Sequence, residues 1–214
     1  NIFREAIEQH RYMFEGKVVL DVSCGLGFLG IFAARSGAKK VYLQDSSLCN
    51  TLTKVLIERN SFNNIIELCP STIENCKIEH QSVDIIVSDW VSSFGVNGSI
   101  VESIIKARDL YLKREGNIFP DQVKFYMSAL SDLDYCPSRF NFWDNVYGYK
   151  MPGMKELYYT EAVYDYIEKD LLISDKTLIH NINILKITLE ELSFIVEYKL
   201  KFNKKGEYNS FVIW

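Results

Sequence analysis

Two features are missing from the sequence, and each absence narrows the class of protein. The 214 residues contain no apolar run long enough to cross a bilayer and no recognisable signal peptide, so we expect neither a membrane span nor secretion. Basic residues are also not in excess, because 24 Lys and Arg stand against 28 Asp and Glu. The resulting net charge of −4 argues against direct nucleic-acid binding.

The cysteines also lack a pattern. There are five of them, an odd number, and no two form a C-x-x-C pair. They are Cys24, Cys49, Cys69, Cys76 and Cys136. This usage favours reduced thiols in the cytoplasm or the nucleus over a disulfide framework, and it predicts no metal site.

The chain is organised around the stretch Val18–Gly27. Val18–Val22 is typical of a parallel strand that is buried on both faces, and a helix is predicted from Phe28. The turn between them is made of small residues, and its glycines allow the backbone to approach a ligand closely. A G-x-G sequence alone also fits a plain tight turn, so both interpretations stay open on this evidence.

Predicted strands and helices alternate through the first half of the chain, which favours a doubly wound parallel sheet with ligands at the carboxyl ends of the strands. The predicted strands are Val18–Val22, Lys40–Gln44, Ile65–Cys69 and Val83–Ser88. The predicted helices are Ile2–Phe14, Phe28–Arg35, a helix capped by Ser46 or Ser47 that runs to Arg59, and Ser99–Lys113. Asp45, just past the second strand, is placed to accept ribose hydroxyls; a solvated loop charge or a helix cap is the alternative.

The pattern changes after Pro120. Val123–Ala129 alternates with period two, as does much of Leu192–Asn203, so antiparallel strands are predicted there. Between them, Tyr135–Leu157 is rich in aromatic residues, proline and glycine and has no clean periodicity, which indicates an irregular insertion. We therefore predict a domain boundary near Pro120.

Five stretches together resemble the protein arginine N-methyltransferase family, and the similarity covers nearly the whole chain. They are Val18–Gly27, Gly37–Val41, Asp84–Trp90, Asn117–Asp121 and Phe142–Gly148. Many methyltransferases share the first stretch but few share all five, and the last resembles the arm through which these enzymes dimerise. The resemblance implies a Rossmann-like methyltransferase domain at 1–119. It also implies an incomplete β-barrel domain at 120–214, with a helical dimerisation arm at about 135–157.

The resemblance implies S-adenosylmethionine as the methyl donor and S-adenosylhomocysteine as its product. The residues it assigns to the donor are Arg4, Asp21, Ser23, Gly25, Gly27, Asp45, Ile73 and Glu74. Arg4 is expected to pair with the donor carboxylate, because a guanidinium suits that fork geometry. Asp45 is expected at the ribose, and Glu74 at the adenine amino group beside the Ile73 backbone. Without the resemblance, Arg4 and Glu74 would be interpreted as solvated charges.

Ser23 stands where the family has glycine. A β-carbon adds bulk near the ligand and disfavours a positive φ. Because serine is small, we expect weakened donor binding and not its loss.

The acceptor pocket departs further from the family pattern. The family holds the protonated guanidinium of its substrate with two glutamates nine positions apart, which orient the attacking nitrogen. In this sequence the first position is Asp89, one methylene shorter, and the second is Gly98, which has no side chain. Ser92 and Ser93 also replace a glycine and a tyrosine. Asp89 is therefore the one expected catalytic residue, and impaired activity is expected.

Two further points concern features of the family that this sequence lacks. Glu102, about one helical turn beyond Gly98, is an alternative source of the second carboxylate. The family's N-terminal helix and its threonine-histidine-tryptophan loop have no counterpart, and none of His10, His80 and His180 matches that histidine. The chain starts at Asn1 inside a predicted helix and stops at Trp214 inside a predicted strand, so we expect the sequence to be a fragment.

Three functional hypotheses follow from the sequence. The chain is an active arginine methyltransferase with an unusual pocket, a non-catalytic member that acts as scaffold or regulatory subunit of a competent partner, or a methyltransferase for another acceptor. The state of the Asp89 and Gly98 positions separates the first hypothesis from the others. The expected partners are Arg/Gly-rich protein substrates and a second subunit, in a homodimer or in a heterodimer with another family member.

Overall fold

The computed structural model describes residues 2–92, 95–96, 98–132 and 139–214. Ser93, Cys136 and the first residues of the predicted arm lie outside this set. The chain forms two compact units, Asn1–Val123 with Ile182–Phe194 and Lys124–Asn181 with Ile195–Trp214. Within the described ranges, no helix has both the length and the apolar character needed to cross a membrane.

The first unit is built on a parallel sheet. Its strands in chain order are β1 (Val18–Val22), β2 (Lys40–Gln44), β3 (Ile66–Cys69), β4 (Val83–Val87), the short hairpin β5 (Val91–Ser92) and β6 (Gly95–Val96), and β7 (Leu112–Phe119). Its helices are α1 (Ile2–Gln9), α2 (Arg11–Phe14), α3 (Phe28–Arg35), α4 (Asn50–Arg59) and α5 (Gly98–Tyr111). The sheet order is β3-β2-β1-β4-β7, with every pairing parallel.

The centre of this sheet explains why it forms. Val19, Leu20 and Val22 of β1 are fully buried, and β4 contributes an equally apolar run. Strands covered on both faces need such continuous apolar sequences. The strand order reverses between β1 and β4, so a ligand crevice is expected at their carboxyl ends. The Rossmann-like fold predicted from the sequence is therefore confirmed.

The predicted bounds of β1, β2 and α3 are confirmed, but the start of α4 is not. The residue that caps α4 is Cys49, so the prediction of a Ser46 or Ser47 cap is wrong. Ser47 instead belongs to a turn, because its N–H donates to Asp45 Oδ1 and its Oγ accepts the Cys49 N–H. Short polar side chains in such a turn compete with a helix start.

Two other helix predictions need correction. The predicted helix Ile2–Phe14 is two helices, with His10 between them. The predicted helix Ser99–Lys113 begins at Gly98 and ends at Tyr111, and β7 follows without a connecting turn. The sequence gives no sign of β7, because its middle is charged and no glycine or proline separates it from α5.

A three-stranded sheet, most of whose residues belong to the second unit, contains β8 (Gln122–Leu130), β9 (Thr177–Asn183) and β10 (Ser210–Ile213), in the order β10-β8-β9. β10 pairs antiparallel with β8, so the predicted antiparallel sheet is present, and no closed barrel is formed by the described residues. The predicted strand in Leu192–Asn203 is wrong: this segment is irregular apart from one bridge, Phe202 with Ser174. Ile195 is fully exposed there, so the alternation has no apolar face to bury.

The described part of the predicted arm is more regular than its sequence indicates. It contains a 3₁₀ turn at Asn141–Asp144 and a helix, α6, at Pro152–Thr160. Proline at the start of α6 is favourable, because the first helical N–H groups need no partner. Side chains on the arm are mostly exposed, including Phe142, Tyr147 and Tyr149.

Candidate functional site

The candidate site lies where β1, β2, β3 and β4 end. The turn Ser23–Gly27 follows β1, Asp45 follows β2, the 3₁₀ turn Ile73–Asn75 follows β3, and Asp89 follows β4. Parallel strands end at one edge of the sheet, so these segments share that edge. The structure thus brings most of the residues selected from the sequence to one side of the first unit.

Asp45 fixes the shape of the glycine turn. Its Oδ2 accepts the Gly25 N–H at 2.7 Å, and its Oδ1 accepts the Ser47 N–H at 2.6 Å. The side chain is buried, so these hydrogen bonds replace water on the carboxylate. Each oxygen keeps a further lone pair for a ligand hydroxyl. The assignment of Asp45 to the ribose stays a prediction.

Gln44 is a site residue that the sequence interpretation missed. It is 4% exposed, its Nε2 donates to the Ser71 carbonyl at 2.7 Å, and its Oε1 accepts the Ser23 N–H at 3.2 Å. Gln44 therefore ties the glycine turn to the segment that precedes Ile73. The available signal was a glutamine at the end of a strand whose other residues are mainly apolar.

Asp21 holds α3 against the end of β1. It is 1% exposed, and its Oδ2 accepts the Gly30 N–H at 2.8 Å. Burial raises the pKa of Asp21 to about 7, and the negative charge of Asp45 adds to this, while the hydrogen bond from Gly30 opposes it. A carboxyl group in this environment is partly protonated near neutral pH.

The glycines of the turn have different physical roles. A β-carbon on Gly25 meets no atom within 4 Å, so Gly25 faces open space on the side where a ligand is expected. A β-carbon on Gly27 falls 2.5 Å from Leu43 Cδ1, and one on Gly30 falls 2.2 Å from Leu43 Cδ2. Leu43 is fully buried, so Gly27 and Gly30 allow α3 to pack against β2.

Ser23 adopts a φ of 56°, in the left-handed region that favours glycine. The backbone of Ser23 therefore has the strain that was expected for a residue with a β-carbon at this position. Such a conformation costs a residue other than glycine about 1–2 kcal/mol. This conformational free energy destabilises the turn that contains Gly25 and Gly27.

Ser23→Gly is expected to raise the free energy of unfolding by about 0.5–1 kcal/mol, because glycine pays no steric penalty at this φ but loses more backbone entropy on folding. Thermal unfolding measures this change. Ser61→Gly is the matched control, because Ser61 also has a positive φ, 60°, but precedes the amino end of β3. Both variants should gain stability, and only Ser23→Gly should bind S-adenosylmethionine more tightly. Equal donor affinity in all three proteins would exclude an effect of Ser23 on the ligand.

Ile73 and Glu74 follow β3 on a segment that α5 supports. The Tyr111 hydroxyl donates to the Ile73 carbonyl at 2.8 Å, so this tyrosine, not singled out from the sequence, positions the turn. Glu74 is exposed, and its Oε1 accepts a hydrogen bond from Lys106 Nζ at 2.5 Å. That hydrogen bond lowers the pKa of Glu74, so its carboxylate is ionised at neutral pH. The adenine role stays a prediction.

Arg4 lies on α1, where its Nε is 3.8 Å from Glu8 Oε2. Its side chain is 45% exposed, as expected for a solvated charge on a helix. α1 packs against α3, the helix that begins after the glycine turn. Contact between Arg4 and a donor carboxylate stays a prediction.

Asp89 is exposed, and hydrogen bonds hold the residues on either side of it, Ser88 and Trp90. Ser88 Oγ donates to the Val22 carbonyl at 2.7 Å, and the fully buried Trp90 donates from Nε1 to the Pro120 carbonyl at 3.0 Å. These contacts fix the backbone that carries the Asp89 carboxylate. Gly98 is the exposed first residue of α5, where a β-carbon meets no atom within 4 Å.

Known proteins resemble both halves of the chain. Residues 121–214 match the arginine methyltransferase oligomerization subdomain, and residues 5–103 match the ribosomal protein L11 methyltransferase model. Protein arginine N-methyltransferase 1 of Dictyostelium discoideum is 35% identical over 212 residues, which cover 99% of this chain and 62% of that protein. The Saccharomyces cerevisiae protein of the same name is 35% identical over 214 residues, covering 99% and 61%.

Solved structures agree with the sequence relatives. The Trypanosoma brucei PRMT1 enzyme–prozyme heterotetrameric complex with AdoHcy contains a chain with a TM-score of 0.81 and 31% identity, and the match covers 90% of this chain and 60% of that one. Arabidopsis thaliana protein arginine methyltransferase 10 matches with a TM-score of 0.75 and 26% identity, covering 89% and 60%. Over nearly its whole length, the chain is similar to protein arginine N-methyltransferases. It spans about three fifths of the length of the curated relatives above.

The departures from the family pattern that the sequence indicates lie after β4 and at the start of α5, at Asp89 and Gly98. Glu102 is exposed on α5, and its charge contributes to a raised pKa of Lys106, after the larger effect of Glu74. Glu102 and Lys106 are four residues apart on a helix, a spacing at which opposite charges attract. That Glu102 supplies the second carboxylate for the substrate guanidinium stays a prediction.

Proposed function

We propose that this protein binds S-adenosylmethionine at the carboxyl edge of the parallel sheet and transfers methyl groups slowly to arginine side chains of proteins. The observation that supports the donor site is the turn after β1, where Gly25 has a positive φ and an open side. The Gly25 N–H is held by Asp45, and the turn lies where the strand order reverses. This backbone leaves room for a ligand that a side chain would block.

We assign different parts of the donor to different residues of the chain. Gly25 would lie beneath the methionine part, Asp45 would accept the ribose hydroxyls, and the Ile73 backbone with Glu74 would contact the adenine. Arg4 pairs with the donor carboxylate, as a guanidinium does with planar anions. When bound, the donor would supply an electrophilic methyl group on a sulfonium, and Asp89 would hold the acceptor guanidinium for its transfer.

The acceptor is held by one carboxylate instead of two. A protonated guanidinium is a poor nucleophile, and its orientation towards the methyl group decides the rate. Asp89 is one methylene short and Gly98 offers no side chain, so we infer that the wild-type rate is low. Arg/Gly-rich proteins in the cytoplasm or the nucleus are the proposed substrates, since reduced cysteines are typical of those compartments.

A second candidate is a regulatory subunit that pairs with a catalytically competent family member. The observation that favours it is the absence of a carboxylate at position 98, where a glycine begins the regular helix α5. The T. brucei relative was solved as a heterotetrameric complex of an enzyme and a prozyme, so such pairings exist in the family. The exposed aromatic side chains of the arm support a homodimer or a heterodimer through that arm.

Arg4→Ala is expected to weaken S-adenosylmethionine binding about tenfold, because a charge-assisted hydrogen bond contributes about 1.5–3 kcal/mol. Isothermal titration calorimetry measures this affinity. Adenosine, which has no carboxylate, should bind both proteins equally. Arg35→Ala is the matched control, because Arg35 approaches the same Glu8, at 4.0 Å.

An unchanged affinity in Arg4→Ala would remove Arg4 from the donor site. Absence of S-adenosylmethionine binding by the wild type would refute the donor site as a whole. Absence of methyl transfer by a wild type that does bind the donor would instead favour the regulatory subunit.

A further inference from the structure

A buried hydroxyl group on α4 contacts the glycine turn that follows β1. Thr53 is fully buried and lies four residues before Ile57, which is also buried, so the two side chains share the inner face of α4. A hydroxyl in such an environment is destabilising unless it has a hydrogen-bond partner. Thr53 Oγ1 donates to the Gly25 carbonyl at 2.9 Å. The polar group of this helix residue is therefore directed at the candidate donor site.

The Thr53 hydroxyl has two acceptors within reach but only one proton to donate. The second acceptor, the Cys49 carbonyl, lies 3.1 Å from Thr53 Oγ1. That carbonyl already accepts the Thr53 N–H within the helix, at 3.0 Å. The Gly25 carbonyl also accepts from the Cys24 thiol, but a thiol is a weak donor and the distance is 3.7 Å. The hydrogen bond from Thr53 is therefore the stronger of the two that Gly25 receives.

The segment from the end of β2 into α4 holds both polar backbone groups of Gly25. Asp45 Oδ2 accepts its N–H at 2.7 Å, and Thr53 Oγ1 donates to its carbonyl. Asn50, at the start of α4, donates from Nδ2 to the Asp45 carbonyl at 3.1 Å, which ties the two partners of Gly25 together. A β-carbon on Gly25 meets no atom within 4 Å, so these contacts orient the backbone without covering its open side.

We propose that Thr53 is a positioning residue of the donor site, which holds the Gly25 backbone in the conformation that receives the methionine part of S-adenosylmethionine. This role rests on the proposed function. Gly25 has a φ of 54°, and without the hydroxyl it samples other conformations, because glycine has the largest backbone freedom of any residue. Affinity falls with the fraction of molecules whose turn is competent to bind. Loss of about one hydrogen bond corresponds to a roughly fivefold weaker affinity.

Two substitutions separate the hydroxyl of Thr53 from its methyl group, which lies next to Gly27. Thr53→Val keeps the methyl group and removes the hydroxyl, whereas Thr53→Ser keeps the hydroxyl. By isothermal titration calorimetry, Thr53→Val should bind S-adenosylmethionine about fivefold more weakly than the wild type, and Thr53→Ser should restore the affinity. Adenosine, which has no methionine part, should bind all these proteins equally. Thr51→Val is the matched control, because Thr51 is exposed on the same helix.

Amide hydrogen exchange followed by NMR tests the same hydrogen bond without any ligand. The Gly25 N–H should exchange about fivefold faster in Thr53→Val than in the wild type, because the turn opens more often. Thr53→Ser and Thr51→Val should exchange at the wild-type rate. Circular dichroism shows whether each variant is folded. Thr53→Ala, which also lacks the hydroxyl but is a strong helix former, replaces Thr53→Val if valine prevents folding, with the same expected results.

An unchanged affinity for S-adenosylmethionine in the folded variant without the hydroxyl would overturn the positioning role. An equal loss of affinity for S-adenosylmethionine and adenosine would also overturn it, because a general disturbance of the fold affects both ligands. Equal weakening in Thr53→Ser would assign the effect to the methyl group instead. A wild type without affinity for S-adenosylmethionine would overturn the proposed function and, with it, the role of Thr53 in donor binding. Faster Gly25 exchange in Thr53→Val would then still show that Thr53 holds the turn.

Discussion

The double variant Asp89→Glu/Gly98→Glu should transfer methyl groups to an Arg-Gly-rich peptide at least about 100-fold faster than the wild type, because a misplacement of about 1 Å already costs that much. The missing second carboxylate adds to this, since a hydrogen bond to a charged group contributes about 1.5–3 kcal/mol. Labelled methyl transfer from S-adenosylmethionine by the intact protein measures the rate. This is the largest effect we expect from any substitution in the chain.

The structure accepts both glutamates. A β-carbon on Gly98 meets no atom within 4 Å, and a carboxylate in the first turn of α5 is favoured by the helix dipole. The longer side chain at position 89 extends from an exposed residue, and Ser88 and Trp90 hold its backbone in place. The gain should therefore come without loss of stability.

Three controls make the result specific. Each single variant should recover only part of the rate, because either one leaves the clamp incomplete. Asp89→Glu/Ser99→Glu places the second carboxylate about 100° further round the helix and should stay slow. A wild-type rate equal to that of the double variant would contradict the incomplete clamp. Glu102→Gln would then reveal whether Glu102 supplies the second carboxylate.

Asp21→Asn is expected to stabilise the protein at neutral pH by about 4 kcal/mol, the equivalent of a pKa raised from its ordinary value to about 7. Asparagine keeps an acceptor for the Gly30 N–H and carries no charge that must be buried. Urea unfolding at several pH values, followed by circular dichroism, measures the free energy of unfolding. Loss of the carboxylate should not disturb the packing of α3.

The sign of the pH dependence follows from where the proton is held. Between about pH 4 and pH 7, folded Asp21 keeps a proton that the unfolded chain has released, so the stability of the wild type falls as pH rises through this window. Above about pH 7 the contribution is constant. The advantage of Asp21→Asn should therefore be absent near pH 4, grow up to pH 7 and then level off.

Asp84→Asn is a control for which the pH dependence of the stability change is expected to have the opposite sign. Burial alone raises the pKa of Asp84, but hydrogen bonds from Lys113 Nζ at 2.6 Å and the Val18 N–H at 2.9 Å hold it below its ordinary value. This variant should lose stability at neutral pH and regain parity with the wild type at low pH. A difference between Asp21→Asn and the wild type that does not change with pH would show that Asp21 is ionised throughout.

The amino-acid sequence is sufficient to predict parts of this architecture. The apolar runs of β1, β2 and β4 require burial on both faces, which only a parallel sheet between helices provides. Glycine spacing identified the turn after β1, and serine in a family glycine position identified a strained residue there. The missing side chain at Gly98 was visible in the sequence, because no fold can replace a group that the chain does not carry.

Other features depended on the tertiary structure. Gln44 contacts Ser23 and Ser71, and Tyr111 contacts Ile73, across separations that no local pattern encodes. β7 is a strand because β4 offers it a parallel edge, although its own sequence is charged. The sequence by itself determined strands β1 to β4, the glycine turn after β1 and the absence of a carboxylate at position 98, since these follow from local periodicity and residue identity. Only the tertiary structure decided the partners of the buried polar groups, because long-range packing sets which side chains meet.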